Sequence, residues 1–209
     1  MTNIPDKSPQ GHWQSVYRTK PADSVSWFRP RLDVSLKLLR QAGLNASSRL
    51  LDVGGGASTL VDDLLDAGLR DITVLDLSSQ ALETARQRIG PKAEGVQWLV
   101  GDLLLAEFPK GRFDLWHDRA VLHFLDNDAA RLYAQRAAHA IAVGGHAVIG
   151  CFALDGPERC SGLPVTRRSA RNIAELMAPA FRLVAEESEQ HLTPGKTAQA
   201  FVYALLQRD

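Results

Sequence analysis

Apolar residues along the chain fall into two alternating patterns, short continuous runs and longer stretches with helical spacing. The short runs cover residues 49–53, 72–76, 96–100, 113–117 and 146–152. Between these runs, apolar positions recur every three or four residues, as they do on one face of an amphipathic helix. Strands that alternate with helices at this pitch form βαβ units, so the pattern predicts an α/β domain with a mostly parallel sheet.

Residues typical of helix starts and ends flank the stretches with helical spacing. Leu32, Leu36 and Leu39 share one helical face in the stretch 30–43, which begins with a proline and ends with a glycine. Ser78 stands where its side chain can cap the first turn of a later helix. We predict helices over about 30–43, 58–67, 78–89, 126–142 and 168–177.

The two ends of the chain depart from this alternation. Residues 1–11 are polar and contain prolines and a glycine, and we predict a loose tail there. Residues 12–28 carry aromatic side chains outside any predicted strand, and this arm either caps the core or closes over a ligand. At the carboxyl end, runs at 181–188 and 198–206 flank a tight turn at Pro194–Gly195, which predicts a hairpin and an antiparallel last strand.

The composition limits the class of protein. The chain has 209 residues, of which 45% are hydrophobic and 23% charged, enough for one sizeable domain but hardly for two. We therefore divide it into an arm, residues 1–29, and a single domain, residues 30–209. Lys plus Arg balance Asp plus Glu at 24 each, which argues against nucleic acid or an anionic membrane as a partner.

Cysteine content and hydropathy narrow the class further. Cys151 and Cys160 are too few for a disulfide framework, and no His/Cys pair has the spacing of a zinc site. The sequence shows no apolar leader and no run long enough to cross a membrane. We expect a cytoplasmic protein with reduced thiols and no metal, while its oligomeric state, monomer or dimer, stays open.

The most informative motif follows the first strand, in the sequence Asp52-Val53-Gly54-Gly55-Gly56. Glycines between a strand and a helix let the backbone turn sharply and approach a ligand closely. In an open α/β sheet, such a ligand binds at the carboxyl ends of the strands. By itself, the loop fits a structural turn or another nucleotide equally well.

Acidic residues at the next two strand ends make the prediction more specific. Asp76 ends the second strand, 20 residues after Gly56, where a carboxylate can accept hydrogen bonds from both ribose hydroxyls of an adenosine. Asp102 follows the third strand, where it can reach the adenine edge while Leu103 packs on the ring. Each acid alone is more often a cap or turn residue, but the three features together predict an adenosine cofactor.

The spacing of the glycines distinguishes two adenosine cofactors. The NAD pattern Gly-x-Gly-x-x-Gly requires a glycine where this chain has Thr59. NAD also needs a helix amino terminus for its pyrophosphate, whereas S-adenosylmethionine has no phosphate and carries an ammonium group that favours a nearby acid such as Asp52. The loop therefore favours S-adenosylmethionine, and an NAD-dependent oxidoreductase is the weakest alternative.

Together with Gly101-Asp102 after strand three and Phe113-Asp114 at strand four, these motifs resemble class I S-adenosylmethionine-dependent methyltransferases over about residues 30–207. The resemblance implies a Rossmann-like three-layer domain with seven strands in the order 3-2-1-4-5-7-6, strand seven being antiparallel. It also implies S-adenosylmethionine as cofactor and S-adenosylhomocysteine as product. These motifs are specific to the superfamily and do not specify the methyl acceptor.

Four flanking segments resemble a bacterial subgroup of these enzymes. They are His12–Phe28, Asp118–Leu125, Gly156–Val165 and His191–Pro194. A more distant similarity runs to enzymes that methylate a protein lysine. Arg168 stands where we expect an aromatic residue, so it is a candidate contact of the acceptor pocket.

The motifs and the resemblance together give two sets of site residues. The cofactor-binding set is Tyr17, Trp27, Asp52, Gly54, Gly55, Gly56, Asp76, Leu77, Asp102, Leu103, Asp118 and Arg119. The candidate catalytic set, expected past the ends of strands four and five, is His123, Cys160 and His191. Each of these three has a plainer alternative: a helix-start histidine, a small buried thiol and a surface-loop histidine. Cys160 with His191 could also bind a soft acceptor such as a thiol or a metalloid.

Methyl transfer from a sulfonium is an in-line displacement with a neutral leaving group, so its main requirement is alignment. A general base matters only for an acceptor that arrives protonated. We expect a small-molecule acceptor, a thiol or other soft nucleophile being one candidate, because the chain has little beyond the core fold with which to recognise a macromolecule. A protein lysine methyltransferase and a non-catalytic cofactor-binding regulator remain alternatives.

Overall fold

The computed structural model describes residues 8–209 and contains nine strands. They are β1 (Arg49–Val53), β2 (Asp71–Asp76), β3 (Val96–Val100), β4 (Phe113–Arg119), β5 (Ile141–Phe152), β6 (Arg159–Cys160), β7 (Leu163–Pro164), β8 (Phe181–Leu192) and β9 (Ala198–Arg208). Seven of them form one sheet in the order β3-β2-β1-β4-β5-β9-β8, and β6 and β7 form a separate short hairpin. With β8 and β9 counted as the sixth and seventh strands of the sheet, the predicted order is confirmed.

Strand direction also follows the prediction. β1 pairs in parallel with β2 and β4, β3 joins β2 in parallel, and β5 joins β4 in parallel. β9 is antiparallel to both of its neighbours, β5 and β8. The five parallel strands point their carboxyl ends to one edge of the sheet, which is where the glycine loop and the strand-end acids meet.

Within the described residues, six α-helices flank the sheet: α1 (Pro9–Thr19), α2 (Asp33–Gln41), α3 (Leu60–Asp66), α4 (Ser79–Ile89), α5 (Asn127–Ala140) and α6 (Ala170–Met177). Side-chain oxygens of Ser78, Asp126 and Ser169 accept hydrogen bonds from first-turn amides and so cap α4, α5 and α6. Helices α2 to α6 lie where the sequence predicts them, with ends that differ by at most about three residues.

The first helix corrects a prediction from the sequence. Residues 9–11 form the first turn of α1 instead of a loose tail. The Gly11 amide donates a 3.0 Å hydrogen bond to Ser8 Oγ, and Pro9 occupies the first helical position, where its missing amide would have no helical partner anyway. The rest of the predicted tail, residues 1–7, lies outside the described residues.

Two other predictions are wrong in detail. β5 begins at Ile141 instead of after Gly144–Gly145, because its pairing with β4 shifts register there and the glycines lie within a bulge. His191 does not lie in the turn between the last two strands, since β8 continues to Leu192 and the His191 ring is completely buried. The surface-loop alternative for His191 is therefore wrong.

Helices cover both faces of the sheet and create two apolar cores. Trp116 and Tyr133 belong to the core beneath α5 and α6, and Leu38, Leu50 and Leu64 to the core beneath α2 and α3. All five side chains are completely buried, and each such burial contributes about 1.5–3 kcal/mol. The predicted three-layer arrangement is confirmed. Across the part of the chain that the structure describes, no helix is long and apolar enough to cross a membrane.

Candidate active site

A large cavity of about 720 Å³ lies at the carboxyl ends of the parallel strands. The glycine loop and the ends of β2, β3 and β4 form its floor, and α1 covers it. The predicted site residues that line it are Tyr17, Trp27, Gly54, Asp76, Leu77, Asp102, Leu103, Arg119 and Cys160. Its volume lies within the range of about 300–1,000 Å³ that is typical of small-molecule and cofactor sites.

The glycine loop brings the backbone close to Asp76. Gly54 and Gly56 have φ angles of +63° and +40°, in the left-handed region that favours glycine. A Cβ atom on Gly56 would lie 2.8 Å from Asp76 Oδ2, so any side chain there would displace the carboxylate. Position 56 therefore requires glycine, both because of its backbone conformation and because Asp76 approaches so closely.

Asp76 ends β2 and is almost fully buried at the floor of the cavity. Its Oδ1 accepts a 2.7 Å hydrogen bond from the Ser78 amide. Burial raises the pKa of Asp76 to about 7; the Ser78 amide opposes this shift, and the negative charge of Asp52 adds to it. The carboxyl group therefore changes its charge near neutral pH.

Asp102 and its neighbours line the same cavity from the loop after β3. Asp102 Oδ1 accepts a 2.9 Å hydrogen bond from the Leu104 amide, which fixes the side chain. Leu77 and Leu103 line the cavity beside the two acids. An acid and apolar side chains thus lie together, an arrangement that can recognise a purine ring.

Asp52 lies beneath the glycine loop and lines a second, smaller cavity of about 50 Å³. Its Oδ1 is 2.7 Å from Nδ1 of His117, whereas its buried Oδ2 has no hydrogen-bond partner among the described residues. Sequence reasoning missed His117 because it belongs to an apolar strand. A polar residue inside such a run is the feature that could have revealed it, since buried polar groups need partners.

The aromatic residues of the arm form a roof over the larger cavity. Trp13 packs edge-to-face against Trp27 and Phe124, with ring centroids 5.6 and 5.1 Å apart. Trp27 Nε1 donates a 3.1 Å hydrogen bond to Tyr17 Oη. All four side chains line the cavity, so the arm lies over the candidate site.

Arg119 ends β4 and joins the arm to the sheet. Its Nη1 donates to the Trp27 carbonyl and its Nε to the Tyr203 hydroxyl, both at 2.9 Å. The guanidinium lies 4.4 Å from the centroid of the Phe201 ring, and its Nη2 is 3.8 Å from a Glu189 carboxylate oxygen. Arg119 borders both cavities, so its fixed charge is available to ligands in either.

Asp118 and Arg168 lie outside both cavities. The Asp118 carboxylate accepts hydrogen bonds from the Val121 and Leu122 amides and so closes the turn after β4. Burial raises the pKa of Asp118 to about 6. Arg168 is also buried, and its backbone amide donates to the Phe152 carbonyl. The structure therefore brings neither side chain to the cofactor or acceptor region.

The two candidate catalytic histidines pack against protein atoms and do not line either cavity. His123 Nδ1 accepts a long hydrogen bond of 3.4 Å from the Phe152 amide, and burial lowers the pKa of His123 to about 3. His191 Nε2 donates to the Ser26 carbonyl at 2.6 Å and so holds the arm. Burial lowers the pKa of His191 too. Both shifts favour the neutral ring, and neither ring lines either cavity.

Cys160 does line the larger cavity, from the β6–β7 hairpin. Burial raises the pKa of its thiol to about 11, and a hydrogen bond with the Ser26 side chain opposes that shift. Near neutral pH, Cys160 is therefore a protonated wall residue and not a thiolate. Within residues 8–209, no group of three or more His, Cys, Asp or Glu side chains is arranged to hold a metal ion.

The chemistry of these side chains fits S-adenosylmethionine. Asp76 offers a carboxylate to a pair of hydroxyls, and Asp102 with Leu103 offers an acid and an apolar face to a purine. Asp52 Oδ2 is a buried acceptor without a partner, which suits an ammonium group. These side chains thus offer a candidate partner to each of the cofactor's three parts.

Comparison with known proteins finds similarity to methyltransferases. A family model described as a methyltransferase domain matches residues 50–145. The eEF1A lysine and N-terminal methyltransferase of Mus musculus is 23% identical over 111 residues, which cover 53% of this chain and 16% of that protein. The chain thus spans about one sixth of the length of this relative.

Solved structures share the whole fold. One, described as showing the conversion of a disulfide bond into a thioacetal group during echinomycin biosynthesis, has a TM-score of 0.73 at 21% identity and covers 94% of this chain and 90% of its own. The 1,6-didemethyltoxoflavin-N1-methyltransferase of Burkholderia thailandensis, with bound S-adenosylhomocysteine, has a TM-score of 0.67 at 24% identity and covers 85% and 77%. Residues 50–145 thus match the model of a methyltransferase domain, and the chain shares the fold of solved methyltransferases, as the sequence motifs predict.

Proposed function

We propose that the protein transfers the methyl group of S-adenosylmethionine to a small, largely apolar molecule. The observation that carries this proposal is one cavity of about 720 Å³ in which strand-end acids and an aromatic roof face the same space. Asp76 and Asp102 supply the polar groups, and Trp13, Phe124 and Leu163 supply apolar surface. A cofactor and a small acceptor can therefore share this cavity.

Each part of the cofactor has a candidate partner. We place the ribose hydroxyls at Asp76, the adenine at Asp102 and Leu103, and the amino-acid tail toward Asp52 beneath the glycine loop. Arg119 borders both cavities and offers a positive charge to the carboxylate of that tail or to the acceptor. Tyr17, Trp27 and Leu77 then cover the cofactor from the arm and from the end of β2.

The bound cofactor supplies an electrophilic methyl group on a sulfonium. The contribution of the protein is to align the acceptor with that methyl group and to exclude water. The roof is held for this task, because Gln14 Oε1 on α1 accepts hydrogen bonds from the Ser78 and Ser79 hydroxyls at 3.0 and 3.3 Å. Helix α1 is thereby attached to the start of α4, two residues after Asp76.

Proton transfer is not assigned to His123 or His191, because both rings contact protein atoms outside the cavity lining. Cys160 would contact the acceptor as a neutral wall residue. An acceptor thiol remains a candidate within the proposed class, since thiols titrate near pH 8.5 and need little help to ionise. One structural neighbour, described by a conversion of disulfide to thioacetal, also concerns sulfur chemistry.

A protein lysine methyltransferase is the second candidate, and the similarity to eEF1A lysine and N-terminal methyltransferases favours it. A lysine side chain that entered on the α1 side would meet the contacts of Trp13 with Phe124 and of Gln14 with α4. We favour a small acceptor because α1 covers the cavity on that side. A cytoplasmic location and the lack of a nucleic-acid partner stay predictions from the composition.

The test is transfer from cofactor labelled in its methyl group. The protein is incubated with a panel of thiols, amines, phenols and small acids, and in parallel with cell extract that is then separated into protein and small-molecule fractions. We expect label in small molecules, loss of transfer in Asp76→Ala, and retention in Asp71→Ala at the opposite end of β2. Label on protein lysines would establish the second candidate. Cofactor binding without transfer to any fraction would indicate a regulator.

A further inference from the structure

Three polar side chains form a buried hydrogen-bonded row beneath the glycine loop. Asp52, His117 and Ser35 are 2%, 1% and 0% exposed. His117 Nδ1 is 2.7 Å from Asp52 Oδ1, and His117 Nε2 is 2.9 Å from Ser35 Oγ. They lie on the face of the sheet whose apolar core includes Leu50 and Leu115, so their burial is costly and needs an explanation.

The three residues come from three different elements. Asp52 and His117 are aligned partners on the neighbouring parallel strands β1 and β4, which places their side chains on the same face of the sheet. Ser35 reaches them from α2, which packs on that face. An ionised carboxylate only accepts hydrogen bonds, so Nδ1 of His117 carries the proton and donates to Asp52. The Asp52 side chain is therefore held at one oxygen by a donor that Ser35 in turn orients.

The other carboxylate oxygen of Asp52 could accept a hydrogen bond from a ligand. Asp52 Oδ2 is buried and has no hydrogen-bond partner among residues 8–209, which is costly for an acceptor of this kind. A Cβ atom on Gly55 would lie 2.5 Å from it, so Oδ2 lies directly against the glycine loop. Asp52 and His117 also line the small cavity of about 50 Å³ together with Gly54 and Gly55.

We propose that His117 and Ser35 are positioning residues that fix Asp52 so that its free oxygen receives the ammonium group of the cofactor's amino-acid tail. This inference rests on the proposed function, because it assumes that S-adenosylmethionine is the ligand. A fixed carboxylate loses no rotamer freedom when the ammonium group binds, and a charge-assisted hydrogen bond in an enclosed site is strong. This role acts through Asp52 and requires no contact of His117 with the cofactor or the acceptor.

Two ligands that differ only at the tail separate positioning from general stabilisation. S-Adenosylhomocysteine contains the amino-acid tail, and 5′-deoxy-5′-methylthioadenosine shares its nucleoside and thioether but lacks the amino and carboxylate groups. Binding of both is measured by calorimetry on the full chain. Loss of a charge-assisted contact predicts about tenfold weaker binding of S-adenosylhomocysteine, with binding of the tail-less ligand changed less than about twofold.

The variants form a matched set at one buried position. In His117→Asn, the side-chain amide lies near the place of Nδ1 and can still donate to Asp52, whereas in His117→Gln it lies farther out, toward Ser35. We expect His117→Gln to lose affinity for S-adenosylhomocysteine selectively and His117→Asn to restore most of it. Ser35→Ala should show a smaller loss of the same selectivity, about two- to threefold.

A control variant on the same strand shows whether a general loss of stability changes the ratio of the two affinities. Trp116 is completely buried on the opposite face of β4, and its Nε1 donates a 2.9 Å hydrogen bond to the Tyr133 hydroxyl. Trp116→Phe removes one buried hydrogen bond and should leave the ratio of the two affinities unchanged. Equal weakening of both ligands in His117→Gln and Ser35→Ala would overturn the inference. Failure of the wild-type protein to bind either ligand would instead overturn the proposed function.

Discussion

Acidification should weaken cofactor binding through Asp76. Burial raises the pKa of this carboxyl group to about 7 in the ligand-free protein, so about a tenth of the molecules carry the carboxylate at pH 6 and about nine tenths at pH 8. Only the carboxylate can accept hydrogen bonds from both ribose hydroxyls, because protonation turns one oxygen into a donor. In the proposed binding mode, the protein with ionised Asp76 is therefore the form that binds.

The size of the effect follows from the ionised fraction. Apparent affinity is reduced by the fraction of molecules that can bind, so S-adenosylhomocysteine should bind about tenfold more weakly at pH 6 than at pH 8, equivalent to about 1.4 kcal/mol. Below pH 6, affinity should continue to fall by about tenfold per pH unit, and above pH 8 it should level off. Binding at pH 6 should also release close to one proton per ligand.

Calorimetry between pH 5.5 and 8.5, in two buffers with different ionisation enthalpies, measures both affinity and proton release. Asp76→Asn removes the titrating group, so its weaker binding should no longer depend on pH in this range. Asp102→Asn, at the adenine position, should weaken binding while keeping the wild-type pH dependence. An affinity that stays within about twofold between pH 6 and pH 8 would refute the reasoning, as would an unchanged slope in Asp76→Asn.

Three further predictions concern stability and reactivity. Because the pKa of Asp76 in the folded protein, about 7, lies above the ordinary 3.8, stability is lost as this group ionises between about pH 4 and pH 7. Asp76→Asn should therefore raise the melting temperature of the ligand-free protein more at pH 8 than at pH 5, and an equal shift at both would contradict this. Gly55→Ala should destabilise the fold by about 1–3 kcal/mol, because its added methyl group would lie within 2.6 Å of two buried side chains; in denaturant titrations, Gly95→Ala, which meets nothing within 4 Å, should not. Iodoacetamide should label Cys160 at pH 7.5 far more slowly than a free cysteine, because the pKa of the thiol is about 11, and labelling at the rate of free cysteine would show a thiolate.

The sheet and most helices could be predicted because their signals are local. Apolar runs and capping residues such as Ser78 depend only on neighbours along the chain. Helix α1 was missed although Ser8 and Pro9 form a start signal, because the polar composition around them is also typical of a tail. The bulge at Gly144–Gly145 depends on pairing with β4, which no local pattern reveals.

The residues of the candidate site also differ in whether the sequence alone could predict them. Asp76 and Asp102 could be placed because strand ends define their positions, and both line the cavity. His117 and the arm contact made by His191 depend on partners 65 and 165 residues away in the chain, so the sequence offers no spacing rule for them. His123 was predicted from its position after β4, but its ring turns inward and packs between aromatic rings.

The central claim is that this cavity binds an S-adenosyl cofactor through Asp76. Calorimetric titration of wild type and Asp76→Ala with S-adenosylhomocysteine, and separately with NAD, tests it most directly. We predict one S-adenosylhomocysteine per chain and no binding of NAD. Affinity should fall about tenfold or more in Asp76→Ala, since lost hydrogen bonds to a charged group cost about 1.5–3 kcal/mol. Binding of NAD without S-adenosylhomocysteine, or an Asp76→Ala affinity within about twofold of wild type, would contradict the claim.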